Sequence, residues 1–371
     1  MNKNKKSLPK INRKFILFFI FNFFYTINSI SETTVGGIID KDTRWYAEKG
    51  PYYVIRDVLV TKRARLSITP GTQIIIYKPS ILDNDIKQLN RLDSLNIKII
   101  IEGALDCGGE QSKRIVFMPQ EEERGCSWYG IVFKNAQDKY TEMSYTEIKG
   151  AYFGISVINC APVIHHCQIE FNNVGIQLEE YGNASIYNCV IAYNYSTGIK
   201  IKSSNPVIMN NIVAFNINNG MWCDAISKIT FEYNCVYGNA DGNFIDCDPE
   251  LGVLKKLNNN KDSVDYKNNI YKNPIFAGTE YDSMSIEKDI SLPTEKSKVK
   301  DTSIARILHE RLVDSIAIKS RHSSYPRYFL SKYSPCRHAA NPSSEFSNED
   351  GKRGDIGIFG ATKFSPSKSK K

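Results

Sequence analysis

Residues 198–216 read Gly198-Ile199-Lys200-Ile201-Lys202-Ser203-Ser204-Asn205-Pro206-Val207-Ile208-Met209-Asn210-Asn211-Ile212-Val213-Ala214-Phe215-Asn216. The opening Gly-Ile-x-Ile phrase recurs on both sides of this stretch, with successive glycines 24, 21, 23, 22 and 22 residues apart. The copies begin at Gly130, Gly154, Gly175, Gly198, Gly220 and Gly242. A fixed period of this length indicates one structural unit that is stacked on itself.

The repeat has the apolar alternation of β-strands. Ile176 and Leu178 are two residues apart, and the unit is too short for a strand-helix-strand crossover. In stacked units, equivalent residues form columns, so the spacing predicts one interior apolar column and one buried asparagine ladder. The predicted columns are Ile164, Ile186 and Ile208, and Asn172, Asn194 and Asn216.

The phrases Gly-Ile-x-Ile, Pro-x-Ile-x-Asn-Asn-x-Ile and a following Asn resemble the right-handed parallel β-helix repeat family, which has a pectate-lyase-like architecture. The resemblance covers roughly residues 128–248. Trp45 to Thr72 is similar to the opening rung of secreted members, and Ser334 to Gly357 is similar to their closing segment. The resemblance implies an all-β, right-handed parallel β-helix. We expect eight or nine rungs and a C-terminal extension that contains a loop and a helix.

The chain divides into five segments. We predict a signal peptide at 1–31, a β-helix with an N-terminal cap at 32–250, and a polar insertion at 251–324. The insertion contains apolar residues at helical spacing, which predict one amphipathic helix at about 301–319. A closing segment that docks on the solenoid is predicted at 325–364, followed by a basic tail at 365–371. Residues 45–53 are the candidate for the N-terminal cap, because an open solenoid end exposes unpaired strand edges.

The net charge and the N-terminal leader limit which classes of partner and which compartment are compatible with the chain. The first 31 residues contain six basic residues, no acidic residue and an apolar run from Phe15 to Tyr25, which is typical of a cleaved secretory signal. Its removal lowers the formal net charge from +8 to +2. The folded body therefore lacks the clustered basic surface that nucleic-acid binding requires. We expect a secreted, extracellular or periplasmic monomer without a transmembrane segment after cleavage.

The nine cysteines do not have the density of a disulfide scaffold. Cys167 and Cys189 share a column with Asn211, and Cys235 is placed approximately in the same column, so all three are expected to point inward as small apolar residues. Cysteines stacked in this way are poorly oriented for disulfides. His165 is expected to face solvent and His166 to lie at the bend, and neither has the second ligand pair that is typical of zinc sites.

The outward residues of the Gly-Ile-x-Ile strands form the best candidate site. One outward column contains Val132, Ser156, Gln177, Lys200 and Trp222, and a neighbouring one contains Lys134, Ile158, Glu179, Lys202 and Asp224. An outward tryptophan beside lysines and amides suits a sugar ring, whose apolar face stacks on an aromatic ring. Trp222, Lys200 and Gln177 are the candidate ligand-binding residues.

The acidic pair on this face has two interpretations. Glu179 and Asp224 lie two rungs apart, about 9.6 Å along the stack, near the upper limit of the separation in inverting glycosidases. Together with Lys202 they are the candidate catalytic residues of a lyase or hydrolase. Alternatively, Lys202 pairs with both carboxylates in a surface ladder that has no catalytic role.

A metal site is suggested by Asn348-x-Asp350-Gly351-x-x-x-Asp355. Oxygen-bearing side chains around a glycine are similar to a calcium loop, although the terminal bidentate Glu is absent. Calcium is therefore the one cofactor considered, and a plain turn is the alternative.

Three functions are compatible with these features. The first is a secreted or surface-associated protein that binds polysaccharide on the solenoid face. The second is a polysaccharide lyase or glycoside hydrolase on the same face, and the third is an adhesin or structural spacer. Family resemblance indicates the architecture, whereas function depends on particular sites.

Overall fold

A computed structural model describes residues 32–77, 97–120, 126–277, 328–348 and 350–360. The predicted signal peptide at 1–31, the predicted helix at 301–319 and the basic tail at 365–371 lie outside the described residues. Among the described residues, no helix is long and apolar enough to span a membrane. The helical structure there consists of short 3-10 turns at Ala47–Lys49, Asp138–Tyr140 and Ser344–Phe346.

Short β-strands make up nearly all the regular structure. The first thirteen are β1 (Thr33–Ile39), β2 (Thr43–Trp45), β3 (Tyr52–Val60), β4 (Arg65–Ile68), β5 (Gln73–Ile76), β6 (Lys98–Ile101), β7 (Ala104–Gly108), β8 (Ile115–Pro119), β9 (Trp128–Lys134), β10 (Glu142–Ser144), β11 (Thr146–Ile148), β12 (Ala151–Ile158) and β13 (Val163–His165). The others are β14 (Gln168–Glu170), β15 (Val174–Glu179), β16 (Ser185–Tyr187), β17 (Val190–Ala192), β18 (Ile199–Lys202), β19 (Val207–Met209), β20 (Ile212–Ala214), β21 (Asn219–Cys223), β22 (Thr230–Glu232), β23 (Cys235–Tyr237), β24 (Gly242–Ile245), β25 (Lys256–Leu257) and β26 (Ser263–Val264).

Most of the strands form three parallel sheets that the chain visits in turn, and β25 and β26 form a separate antiparallel pair. Sheet I contains β2, β4, β7, β10, β13, β16, β19 and β22. Sheet II contains β5, β8, β11, β14, β17, β20 and β23, and sheet III contains β6, β9, β12, β15, β18, β21 and β24. Strand β3 pairs with β5 through its first half and with β6 through its second half, so it joins sheets II and III. This all-β parallel solenoid confirms the predicted fold class.

The N-terminal end differs in detail from the predicted cap. Residues 45–53 are not a separate cap, because Trp45 belongs to β2 in sheet I and Tyr52 begins β3. Their rings stack with centroids 5.1 Å apart. The outermost strand is β1, which pairs in parallel along β3. The first rung thus begins upstream of the segment that the sequence suggested.

The solenoid interior contains the predicted apolar column. Ile164, Ile186 and Ile208 are paired in register across β13, β16 and β19, and all three are fully buried. The large interior side chains include Trp128, Phe117 and Phe133. Apolar burial of this kind contributes about 25 cal/mol per Å2 and is the main stabilising contribution to the stack.

The predicted asparagine ladder is also present. Asn194 Oδ1 accepts hydrogen bonds from the backbone N–H of Asn172 at 3.1 Å and from its side-chain amide at 3.2 Å. Asn216 and then Asn239 repeat the pattern on the next rungs. These amides satisfy buried backbone groups at the bend between sheets II and III, which supports a structural role.

A second ladder corrects the predicted cysteine column. The Asn211 column continues to Asn234, whose Oδ1 accepts the Asn211 backbone N–H at 2.9 Å, and then to Asn269. Cys235 is instead paired with Ile212 on the neighbouring strand. Since successive strand residues face opposite sides, this shift of one residue turns Cys235 to the outer face of sheet II.

The described C-terminal residues, 328–348 and 350–360, lie against that outer face. Their apolar side chains and those of sheet II form a cluster separate from the interior core. The cluster includes Val190, Ala192, Ile212, Ala214, Cys235, Tyr328, Leu330, Cys336, Ile356 and Ile358. The solenoid therefore has an apolar outer face on sheet II that this segment covers.

A row of residues with positive φ at the bend between sheets I and II contacts the same C-terminal residues. His166, Asn188 and Asn210 have φ values of 54°, 50° and 58°. The imidazole Nε2 of His166 hydrogen-bonds to the Gly360 carbonyl at 2.6 Å, and the Asn341 N–H donates to Asn210 Oδ1 at 2.7 Å. The prediction that His165 faces solvent is wrong. His165 is buried between Glu142, His166 and the edge of the Tyr145 ring.

Candidate functional site

The outward column of sheet III has the register that the repeat predicts. Val132 pairs with Ser156, Ser156 with Gln177, Gln177 with Lys200, and Lys200 with Trp222. The column continues to Ile245 on β24. Neighbouring strands lie about 4.8 Å apart, so Gln177, Lys200 and Trp222 form a continuous row about 10 Å long.

The exposure of this row is less uniform than the sequence suggested. Val132, Ser156 and Gln177 are buried, with Gln177 only 6% exposed, whereas Lys200 and Trp222 are partly exposed. Within the described residues, Gln177 Oε1 has no hydrogen-bond partner. A buried amide oxygen without a partner is unfavourable by roughly 1–3 kcal/mol, and its burial keeps it out of reach of a ligand on this face.

Trp222 is held in place by its neighbours. Its indole Nε1–H donates to Asp246 Oδ2 at 3.0 Å, and the Lys200 ammonium lies 5.8 Å from the ring centroid. The first contact fixes the edge of the ring, and the second is a cation–π interaction. The outcome is a positioned, partly exposed aromatic ring with a cation beside it.

The candidate catalytic residues are not brought together as a matched acid and base. Glu179 pairs in register with Lys202, but Asp224 follows the end of β21. Asp224 Oδ2 accepts hydrogen bonds from the backbone N–H and the hydroxyl of Ser203 at 2.9 and 3.3 Å. Its Oδ1 accepts the hydroxyl of Ser227 at 2.5 Å.

These contacts determine the protonation of Asp224. Slight desolvation acts to raise its pKa, but the hydrogen bonds from Ser227 and Ser203 outweigh it and hold the pKa below the ordinary value. A carboxyl group with a lowered pKa stays ionised and is a poor general acid. Among the described residues, no ion pair joins Lys202 to Glu179 or to Asp224, so the surface ladder considered from the sequence does not form either.

An aromatic group on the same sheet was missed from the sequence. Tyr129 on β9 and Tyr152 on β12 stack with ring centroids 6.4 Å apart, and Lys98 Nζ lies 4.6 Å from the centroid of Tyr129. Burial and then the charge of Glu179 raise the pKa of Tyr129. The pairs Trp128-Tyr129 and Tyr152-Phe153, just before or at the repeat glycines, were the available signal.

The two carboxylates of the suggested calcium loop have partners from the protein, whereas the buried Asn348 Oδ1 has none among the described residues. Asp350 pairs with Lys352 at 2.9 Å, and Asp355 Oδ1 accepts the His338 backbone N–H at 2.7 Å. The Gly351 N–H donates to the Asn348 carbonyl, which closes a tight turn. In the described ranges, no group of three or more His, Cys, Asp or Glu residues could hold a metal ion.

A comparison with known protein families agrees with the observed architecture. The family described as "Right handed beta helix region" matches residues 123–250. No curated protein sequence matches the chain. A solved structure, the crystal structure of pectate lyase Pel9A, is similar over 81% of this chain and 88% of that chain, with 13% identity and a TM-score of 0.35. A similarity of that strength does not bear on activity.

Proposed function

We propose that this right-handed β-helix protein is exported, acts as a monomer and binds polysaccharide on the outer face of sheet III without cleaving it. The proposal is supported by the chemistry of the row Gln177, Lys200 and Trp222. The leader-like composition of residues 1–31 supports export.

One observation carries the proposal, namely that an amide, a cation and an aromatic ring lie in register on three successive strands. Sugar recognition uses an aromatic surface for the apolar face of the ring and polar groups for the hydroxyls or carboxylates. Trp222 supplies the aromatic surface and Lys200 supplies a polar group, and both are partly exposed. Since strands repeat about every 4.8 Å, the row matches a linear polymer better than a compact ligand.

Asp224 is unsuited to the role of general acid, and serine groups occupy both of its carboxylate oxygens. An inverting hydrolase requires one carboxyl group that is protonated near neutral pH, and the pKa of Asp224 is lowered instead. We therefore place catalysis by Glu179, Lys202 and Asp224 second to binding.

Binding is tested by affinity electrophoresis of the protein in gels that contain acidic or neutral polysaccharides. We expect Trp222→Ala and Lys200→Ala each to weaken retention about tenfold, which corresponds to the 1–2 kcal/mol of one ring or charge contact. Trp222→Phe should keep part of the retention, because phenylalanine still offers an aromatic surface. Lys228→Ala removes an exposed lysine off this face and is the matched control for charge.

Turnover is tested with the same polysaccharides, with and without calcium, by unsaturated-product absorbance and reducing ends. We expect no cleavage. Cleavage that is lost in Glu179→Gln or Asp224→Asn would replace the binding proposal by the enzyme alternative. Retention that is unchanged in Trp222→Ala and Lys200→Ala would instead favour an adhesin or spacer that binds elsewhere.

A further inference from the structure

Two cysteines face each other across the interface between sheet II and the C-terminal residues. Cys235 is in register with Ile212, which is itself in register with Val190. All three belong to the outer apolar cluster, whereas their strand neighbours Ile191, Val213 and Val236 belong to the interior core. The Cys235 side chain therefore points out of the solenoid.

Cys336 belongs to the segment that covers this face. It is fully buried in the same cluster, and its backbone carbonyl accepts the Ile356 N–H at 2.9 Å. Close contacts fix both sides of the interface here. Cys235 Sγ donates to the Lys272 carbonyl at 3.3 Å, and Ser334 Oγ donates to the Pro274 carbonyl at 2.5 Å. Cys336 lies close to Cys235, because Ile356, which bonds to Cys336, is followed by Gly357, and a Cβ built on Gly357 would lie 2.8 Å from the side chain of Ile212, the register partner of Cys235.

This pair differs geometrically from the interior cysteines. Cys167 and Cys189 lie on adjacent rungs of one column, so their Cα–Cβ bonds point in the same direction, which is unfavourable for a disulfide. Cys235 and Cys336 come from two surfaces packed face to face, so their side chains approach each other. The two cysteines are 101 positions apart in the sequence, which makes the link a long-range one.

We propose that Cys235 and Cys336 form a disulfide when the chain folds in an oxidising environment, and that this bond ties the C-terminal segment to sheet II. The oxidant is a small-molecule disulfide of the glutathione type. One cysteine thiolate attacks it, forms a mixed disulfide and releases one glutathione thiol. The second cysteine thiolate then attacks the protein sulfur and releases the second. Two protein thiols lose two electrons and two protons, and one glutathione disulfide becomes two thiols.

The bond must form before the interface closes. Both thiols are fully buried in the folded chain, and burial holds the pKa of Cys336 well above its ordinary value. A buried, protonated thiol does not react with disulfides, because the thiolate is the nucleophile. Oxidation therefore belongs to folding, and the finished bond is protected from reductants.

The test is disulfide mapping of the full chain. The protein is reduced and denatured, refolded with reduced and oxidised glutathione, and alkylated in denaturant. Digestion with trypsin and an Asp-N protease separates Cys235, in residues 229–240, from Cys247, and yields Cys336 in residues 333–337. We expect these two peptides to be linked in most molecules and to separate on reduction.

Variants of Cys336 and Cys189 check the assignment of the linked peptide. Cys336→Ser should lose the linked peptide, and Cys189→Ser, which removes an interior thiol, should keep it. If Cys336→Ser does not refold, Cys336→Ala serves in its place. The wild-type map decides by itself, because alkylation of Cys336 in most refolded molecules, or its linkage to another cysteine, would overturn the proposal.

Discussion

At the residue scale, the bend between sheets I and II contains an unusual pair of buried histidines. His165 Nδ1 and His166 Nδ1 are 2.8 Å apart, and His165 Nε2 is 2.9 Å from Glu142 Oε1. His166 Nε2 must donate, because its partner is the Gly360 carbonyl. Burial, and then the proximity of His165, lower the pKa of His166 to about 3, so its ring is neutral and its Nδ1 accepts the proton of His165 Nδ1.

The lowered pKa of His166 makes folding depend on pH. Below its ordinary pKa of 6.5 the unfolded chain binds a proton that the folded chain does not bind until about pH 3. Stability is therefore lost as the pH falls through this window, by about 2 kcal/mol at pH 5. His166→Asn should remove this contribution, since asparagine at φ near 50° already occupies the equivalent positions 188 and 210.

Urea denaturation at pH 7.5 and pH 5 measures this effect in the wild type and in His166→Asn. We expect the variant to lose about 2 kcal/mol less of its free energy of unfolding between the two pH values. An equal loss in both proteins would contradict the assignment of a neutral, buried His166.

Asn194 shows how much a single ladder amide contributes. Its side chain accepts from the backbone of Asn172 and donates to Ile169 and Asn216, all in the buried bend. Asn194→Ala leaves several buried groups without partners, so we expect a loss of about 3 kcal/mol or more in free energy of unfolding. Chemical denaturation measures it.

An exposed ladder provides the control for Asn194. The Asn205 N–H donates to Asn183 Oδ1 at 2.7 Å, and Asn205 Oδ1 accepts the Lys228 N–H at 2.8 Å, in an exposed position. Water can replace these bonds, so Asn205→Ala should cost less than about 1 kcal/mol. Similar losses in free energy of unfolding for the two variants would mean that burial does not determine how much the ladder stabilises the protein.

At the scale of elements, the sheet III strands are stacked closely at their repeat glycines. A Cβ placed on Gly198 would lie 2.7 Å from the Gly220 carbonyl oxygen and 2.8 Å from Asn216 Nδ2. Gly154, Gly175 and Gly220 have comparable contacts with backbone atoms of the following rung. Glycine is thus required because the space between rungs leaves no room for a Cβ. This close contact explains why glycine recurs in the sequence.

Substitution at Gly198 should separate this effect from ordinary strand propensity. Gly198→Ala pushes against backbone in the next rung and should cost about 1–3 kcal/mol in free energy of unfolding. Gly108→Ala is the matched control, because its Cβ would meet nothing closer than 3.7 Å. Thermal and chemical denaturation compare the two, and an unchanged Gly198→Ala protein would refute the steric argument.

At the scale of the whole molecule, the described residues form two apolar cores. One is the interior of the solenoid, and the other lies between the outer face of sheet II and the C-terminal residues. Ile356 and Ile358 are buried in the second core although they lie in an irregular segment. The segment therefore contributes apolar contacts to several rungs at once, which an individual rung cannot supply.

Removal of those contacts should loosen the C-terminal segment before the rungs unfold. We expect Ile356→Ala combined with Ile358→Ala to destabilise the protein by several kcal/mol, at about 2–5 kcal/mol per buried side chain. Proteolysis should then cut within residues 328–360 at concentrations that leave the wild type intact. Tyr333→Ala, at a 74% exposed position of the same segment, is the control. Cleavage first within the rungs would contradict this order.

The sequence by itself determined the stack. The repeat period and the apolar alternation predict the strands, the Ile164 column and the Asn172 ladder. They do so because each rung packs on a nearly identical rung, so residues at equivalent positions of the repeat contact each other. They also predict the register of Gln177, Lys200 and Trp222. Only the tertiary structure decided which outward faces of the solenoid are covered. The covering residues, such as those at 328–348 and 350–360, lie outside the repeat, so its pattern does not predict where they pack. The covering of the outer face of sheet II, including Cys235, and the contact of His166 with Gly360 follow from such nonlocal packing.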